Sequence, residues 1–145
     1  QFSYSAEGYL TGIVENIDNT EYSSTSLTYE NGDITSISSK MNGLENKFIY
    51  EPGEESSTYH LPCLGLLEIH PLTFHIEALY AGLLGKDPRH FTMHSCPAGS
   101  NDEKTIYSYE FDKKGNPSRM ICQTTYAGGQ ASYYPYTRNI SISFE

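Results

Sequence analysis

Two histidines and two cysteines crowd the middle of this chain, as His60-x-x-Cys63 and His94-x-Cys96. Together they hold the inventory of a structural zinc site, four nitrogen and sulfur donors in a tetrahedron. The first spacing permits that closure. The second leaves a single residue between donors and strains it, and neither resembles a paired CxxC knuckle. Cys63 and Cys96 are also a candidate disulfide across the central segment, which would leave Cys122 over from an odd count of three. Loop histidines beside buried thiols are the plainer reading. No metal and no cofactor is therefore expected, and His60, Cys63, His94 and Cys96 stand only as candidates that their spacing disfavours.

Other chemistry finds less to work with. "AGLLGKD" has the flavour of a phosphate loop, but Gly82 and Gly85 are too close together and Asp87 follows Lys86 where Ser or Thr belongs. No G-x-S-x-G elbow occurs, and Cys96 near His94 is sequence adjacency alone. Glu54, Glu55, Asp102 and Glu103 fall in polar turns, where solvated carboxylates are the ordinary case. No catalytic residue is assigned, and an enzyme is not expected.

The elements that would carry a site are strands. The chain has 145 residues, is 37% hydrophobic, and contains thirteen tyrosines but no tryptophan. Many Ser and Thr residues fill the gaps, a mixture suited to antiparallel strands with one face partly wet. The length fits a single β-rich domain over residues 1–145, with hairpins at 1–60, a helix-containing connection at 61–103 and further hairpins at 104–145. The formal net charge is −9 and its nine basic residues are scattered, which argues against nucleic acid and against anionic lipid surfaces. No run approaches the roughly 18 apolar residues of a membrane helix. Gln1 in place of Met suggests a processed chain, with a lipid anchor upstream of it left open.

Three words recur: "FSYSAEGYLTGI", "LTYENGDITSI" and "YEFDKKGNPSRM". Each sets an aromatic residue just before a glycine turn. Asn31-Gly32 predicts a two-residue type I′ hairpin, with Glu30 against Asp33, Tyr29 against Ile34 and Leu27 against Ser36. Three-residue loops ending at Gly8 and Gly115 predict Tyr4 opposite Leu10 and Phe111 opposite Pro117. Asn42-Gly43 predicts Met41 against Leu44 and Ile37 against Phe48, and Gly128-Gly129 predicts Thr124 against Tyr133. The expected fold is mainly β, an antiparallel meander of about eight or nine hairpin-linked strands forming a curved sheet or partly open barrel. With those registers, Leu27, Tyr29, Ile34 and Ile49 share one face and Ile37, Phe48 and Tyr50 the other. Either the sheet then curls around its own contents, or something covers its back. The candidate cover is a central α-helix at about 71–84, started by Pro71 and stopped by Gly85 and Pro88.

These hairpin words, with "YAGLLGK" and the closing "ISISFE", resemble an uncharacterised family of secreted lipoproteins from gut bacteria described as having a porin-like antiparallel β fold. The resemblance spans most of the chain. It implies an extracytoplasmic location, in the cell envelope or at the surface, and supplies no catalytic residues. The leading functional expectation is a non-enzymatic binding module for a lipid or other hydrophobic ligand held between curved sheet and helix. Phe74, Ile76, Leu79, Tyr80 and Leu83 would line that space. The competing reading is that these side chains fill it themselves as core. A surface adhesion or assembly protein using the Tyr133–Tyr136 edge is one alternative, and a glycan-binding or glycan-hydrolysing protein is another. The sequence leaves the oligomeric state open.

Overall fold

Turn chemistry and alternation build a meander. In the computed structural model of the chain, residues 1–56, 78, 81–100, 102–126 and 136–141 are described. They form nine antiparallel strands: β1 (Phe2–Tyr4), β2 (Leu10–Ile17), β3 (Thr20–Glu30), β4 (Asp33–Met41), β5 (Leu44–Ser56), β6 (His90–Pro97), β7 (Glu103–Phe111), β8 (Pro117–Tyr126) and β9 (Tyr136–Ser141). Each strand pairs with its neighbours in sequence, in the order β1 to β9. Among the described residues no ladder joins β1 to β9, so the sheet is open.

The glycine-set turns form as their chemistry dictates. Asn31 and Gly32 lie at φ 53° and 88°, the paired positive values of a type I′ turn. Glu30↔Asp33, Tyr29↔Ile34, Met41↔Leu44 and Ile37↔Phe48 follow in register. Tyr4 stands opposite Leu10, and Phe111 opposite Pro117. Asp18 and Asn19, at φ 50° and 61°, close β2 on β3 without any glycine, because Asp and Asn tolerate the left-handed region. In the Phe111–Pro117 loop, Asp112 Oδ1 accepts the Lys114 and Asn116 N–H groups, each at 2.8 Å. The Asn116 hydrogen bond is the main reason that its carboxyl titrates below the usual aspartate value.

One register differs, and it changes which residues are inside. Leu27 pairs with Ile37, not Ser36, because the register shifts between Thr28 and Tyr29. Thr28 pairs with Ser36 and Tyr29 with Ile34, so Thr35 is the extra, unpaired residue of a β-bulge. Its hydroxyl donates to the Thr28 carbonyl at 3.2 Å. One inserted residue turns the following side chains to the opposite face. Ile34 and Ile37 therefore both point inward, with Leu10, Ile13, Leu27 and Tyr50, and with Tyr29 and Phe48 packed against them. Ile49 is turned out, 37% exposed. The two apolar faces expected for the meander are a single face.

The expected central helix at about 71–84 is not supported. Residues 71–77, 79 and 80 lie outside those described, Ala78 has helical backbone, and 81–84 are turn. The Leu83 N–H donates to the Ala78 carbonyl at 2.8 Å across Gly82 at φ 69°. That six-residue closure around a left-handed glycine ends helical backbone three residues before the expected stop at Gly85. Ala78 and Leu84 are buried in the same core as the meander. The 90–97 stretch, read as part of a connection, is strand β6 and joins both halves into one sheet. On the C-terminal side Thr124 faces Tyr136 rather than Tyr133, and Gly128-Gly129 lies outside the described residues. A second core cluster, Tyr107, Met120 and Cys122 with Tyr109 and Ile140, lies under β7, β8 and β9.

Candidate functional site

Where a sheet ladder opens, the freed space and backbone are available to something else, and among the described residues this sheet opens at two places. Between β6 and β7 only His94↔Ile106 and Ser95↔Thr105 pair. Beyond His94, toward Met93 and Tyr107, the strands part around a cleft of about 640 Å³, lined by Pro52, Glu54, Glu55, Met93, Tyr107 and Tyr109 among others. Side-chain hydroxyls take up hydrogen bonding there. Tyr109 Oη donates to the Thr92 carbonyl at 2.9 Å, and the Ser95 and Tyr107 hydroxyls lie 2.7 Å apart. Phe91 stacks on Tyr109 with ring centres at 4.6 Å and meets Phe111 edge-on at 5.9 Å. The β5 wall bows, its register shifting between Pro52 and Ser56. Gly53 sits in that bow, 3.6 Å from the Met93 side chain when given a Cβ.

The second opening lies between β2 and β3. Their ladder begins only at Gly12↔Ser26, and toward Tyr9 the strands separate around a cleft of about 570 Å³. The 83–90 segment holds the two hairpin tips in place. Tyr4 Oη donates to the Leu83 carbonyl at 2.8 Å, the Lys86 N–H to Gly8 at 2.8 Å and the Arg89 N–H to Gly32 at 3.0 Å. His90 then meets Asp33 twice, through its backbone N–H at 2.8 Å and its ring Nδ1 at 2.9 Å. Gly85 bridges Tyr9, and a Cβ there would lie 2.8 Å from the Gly8 carbonyl oxygen. Only glycine, here at φ 72°, lets the segment approach so closely.

The sequence candidates distribute unevenly over this frame. Phe74, Ile76, Leu79 and Tyr80 lie outside the described residues, as do His60 and Cys63. Leu83 is 40% exposed, and it is Leu84 that enters the core. His94 and Cys96 stand on the same side of β6, facing Glu51 and Ile49 of β5. His94 Nδ1 lies 3.1 Å from Glu51 Oε2, beside a smaller recess of about 170 Å³ that Cys96 also lines. Cys96 is only half-buried, and Cys63, its candidate disulfide partner, lies outside the described residues. Among the described residues no three His, Cys, Asp or Glu side chains gather as a metal group. Tyr133 and Tyr134 lie outside the described residues. Sequence reasoning passed over the β6–β7 cleft. The signal for it was Pro52-Gly53 inside an otherwise regular strand, which marks a bulge or an edge.

A family model described as "Domain of unknown function (DUF4595) with porin-like fold" matches residues 1–119. The chain belongs to this family. No curated protein matches this DUF4595 chain. Among solved structures, a porin-like protein from Bacteroides uniformis superimposes with a TM-score of 0.80 at 26% identity, over 99% of this chain and 58% of that one. The DUF4595 chain thus spans little more than half of its structural neighbour's length. Among its described residues no helix is long and apolar enough to cross a membrane.

Proposed function

We propose that this DUF4595 protein is a non-enzymatic, extracytoplasmic binding module whose ligand is a hydrophobic small molecule or single lipid held in the β6–β7 cleft. The observation that carries this reading is the interrupted ladder. Two strands that lie side by side share only two paired positions, and Met93, Tyr107 and Tyr109 line the space so opened. Its volume of about 640 Å³ lies within the ~300–1,000 Å³ of small-ligand sites. A rim of Glu54, Glu55, Thr92 and Ser108 around that apolar floor suits a ligand buried by its hydrocarbon part. The extracytoplasmic placement rests on the resemblance to secreted lipoproteins, and fractionation of expressing cells tests it.

Met93 is 45% exposed, so a lysine is accommodated there without unfolding the sheet. Met93→Lys is expected to weaken binding of the neutral probe N-phenyl-1-naphthylamine by at least about tenfold, while circular dichroism stays unchanged. Native mass spectrometry of the wild-type protein should show a copurified hydrophobic adduct that Met93→Lys lacks. Equal probe binding by both proteins overturns the proposal.

A further inference from the structure

The cleft between β2 and β3 has a different character from the β6–β7 cleft. Leu27 is its one aliphatic wall, and Glu7, Thr11, Thr28, Asn31 and Lys86 supply both donors and acceptors. Two tyrosines form its aromatic side. Their ring centres lie 4.8 Å apart, and Lys86 Nζ caps the Tyr9 ring at 4.9 Å. Tyr9 is thereby held in a column between Lys86 and Tyr29. Tyr29 is only half-buried and lines the cleft.

The cleft is also blind at both ends. The β2–β3 ladder closes it at Gly12↔Ser26. At the other end stands the Asn31-Gly32 turn, with the Tyr9 hydroxyl 2.8 Å from where a Gly32 Cβ would stand. From Ser26 to Asn31 an extended strand covers roughly 17 Å. A peptide adding itself as a strand needs a continuous open edge, which this geometry denies. The charged side chains lining it are Glu7 and Lys86, of opposite sign, and the neighbouring Arg89 guanidinium donates to the Asn31 carbonyl at 3.5 Å, so no pair of cations converges there to grip phosphate. What fits is short, uncharged and ring-shaped, with weakly positive C–H faces for an aromatic ring and hydroxyls on every edge.

We infer that the β2–β3 cleft is a saccharide subsite, in which Tyr29 stacks on a sugar ring while Glu7, Asn31, Thr11 and Lys86 hydrogen-bond its hydroxyls. This site is separate from the hydrophobic cleft and does not depend on it. Isotope-labelled protein titrated with maltotetraose, cellotetraose and xylotetraose at millimolar concentration tests it by nuclear magnetic resonance. At least one sugar is expected to shift the Tyr9, Tyr29 and Asn31 signals, and Tyr29→Leu to weaken that binding by about tenfold or more. Because Tyr29 also packs against the core, Glu7→Gln on the exposed hairpin tip serves as the second variant. It should weaken binding severalfold in a protein that folds as wild type, while Met93→Lys leaves binding unchanged. The inference is overturned if none of the three sugars moves these signals, if Glu7→Gln binds as wild type, or if the shifts fall only around the β6–β7 cleft.

Discussion

Ile37 and Ile49 show how one residue's facing decides its worth. Both are β-branched, both lie mid-strand, and they are one position out of register across the β4–β5 ladder. Ile37 has no exposed surface, whereas Ile49 is 37% exposed on the outer side. Truncating a fully buried aliphatic side chain loses its transfer energy and leaves a cavity, about 2–5 kcal/mol. Ile37→Ala should therefore lower unfolding stability by that amount in urea titrations. Ile49→Ala should change it by only about 0.5 kcal/mol. Equal losses would mean that the inward face has been drawn wrongly. Asp33 is the polar counterpart. Only 7% exposed, it accepts the His90 backbone N–H, lies against the His90 ring Nδ1, and anchors the start of β6 to the start of β4.

At the scale of elements the Thr35 bulge is the decisive irregularity. Deleting Thr35 leaves Ile34 opposite Tyr29, Ser36 opposite Thr28 and Ile37 opposite Leu27, a regular ladder with the same residues inside. Deleting Ser38 from the regular part of β4 is different, since that slip exchanges core and solvent faces on one side of the cut. The Ser38 deletion should therefore cost much more stability than the Thr35 deletion, and chemical denaturation of the two variants distinguishes them. The same element marks where the sequence stops being legible. Hairpin tips are written locally: Asn31-Gly32 and Asn42-Gly43 set four correct pairs through backbone φ alone. A bulge is not written that way, since Thr35 differs little from the Thr and Ser residues around it, and only the packing of Ile34 with Ile37 reveals it. Strand β6 was hidden for a related reason. Its His94 and Cys96 suggested ligands, whereas alternation merely turns them outward together. The cleft residues Tyr107 and Tyr109 alternate along β7 and so share one strand face, but the parting of β6 from β7 follows from long-range bends that no short window contains.

At the scale of the molecule, the described residues of the meander hold two cores under one sheet. The larger lies under β2 to β5 and the smaller under β7, β8 and β9, and the two paired positions between β6 and β7 are the narrowest part of the backbone network. Regions joined by so few hydrogen bonds open as separate cooperative units. Hydrogen exchange followed by mass spectrometry should show β7 to β9 losing protection together, before β3 and β4. Simultaneous exchange across all nine strands would contradict that division. A hydrophobic ligand lodged across the seam would slow the earlier phase, since it binds the closed form alone.

The 83–90 segment adds a mechanical consequence. It pins the β1–β2 hairpin through Gly8 and the β3–β4 hairpin through Gly32, so it works as a spacer that fixes the gap between them. Without that spacer nothing prevents β2 from zipping onto β3 beyond Gly12, and the opening would vanish into ordinary sheet. A single backbone cut in this tether would thus erase a cavity whose walls it barely touches.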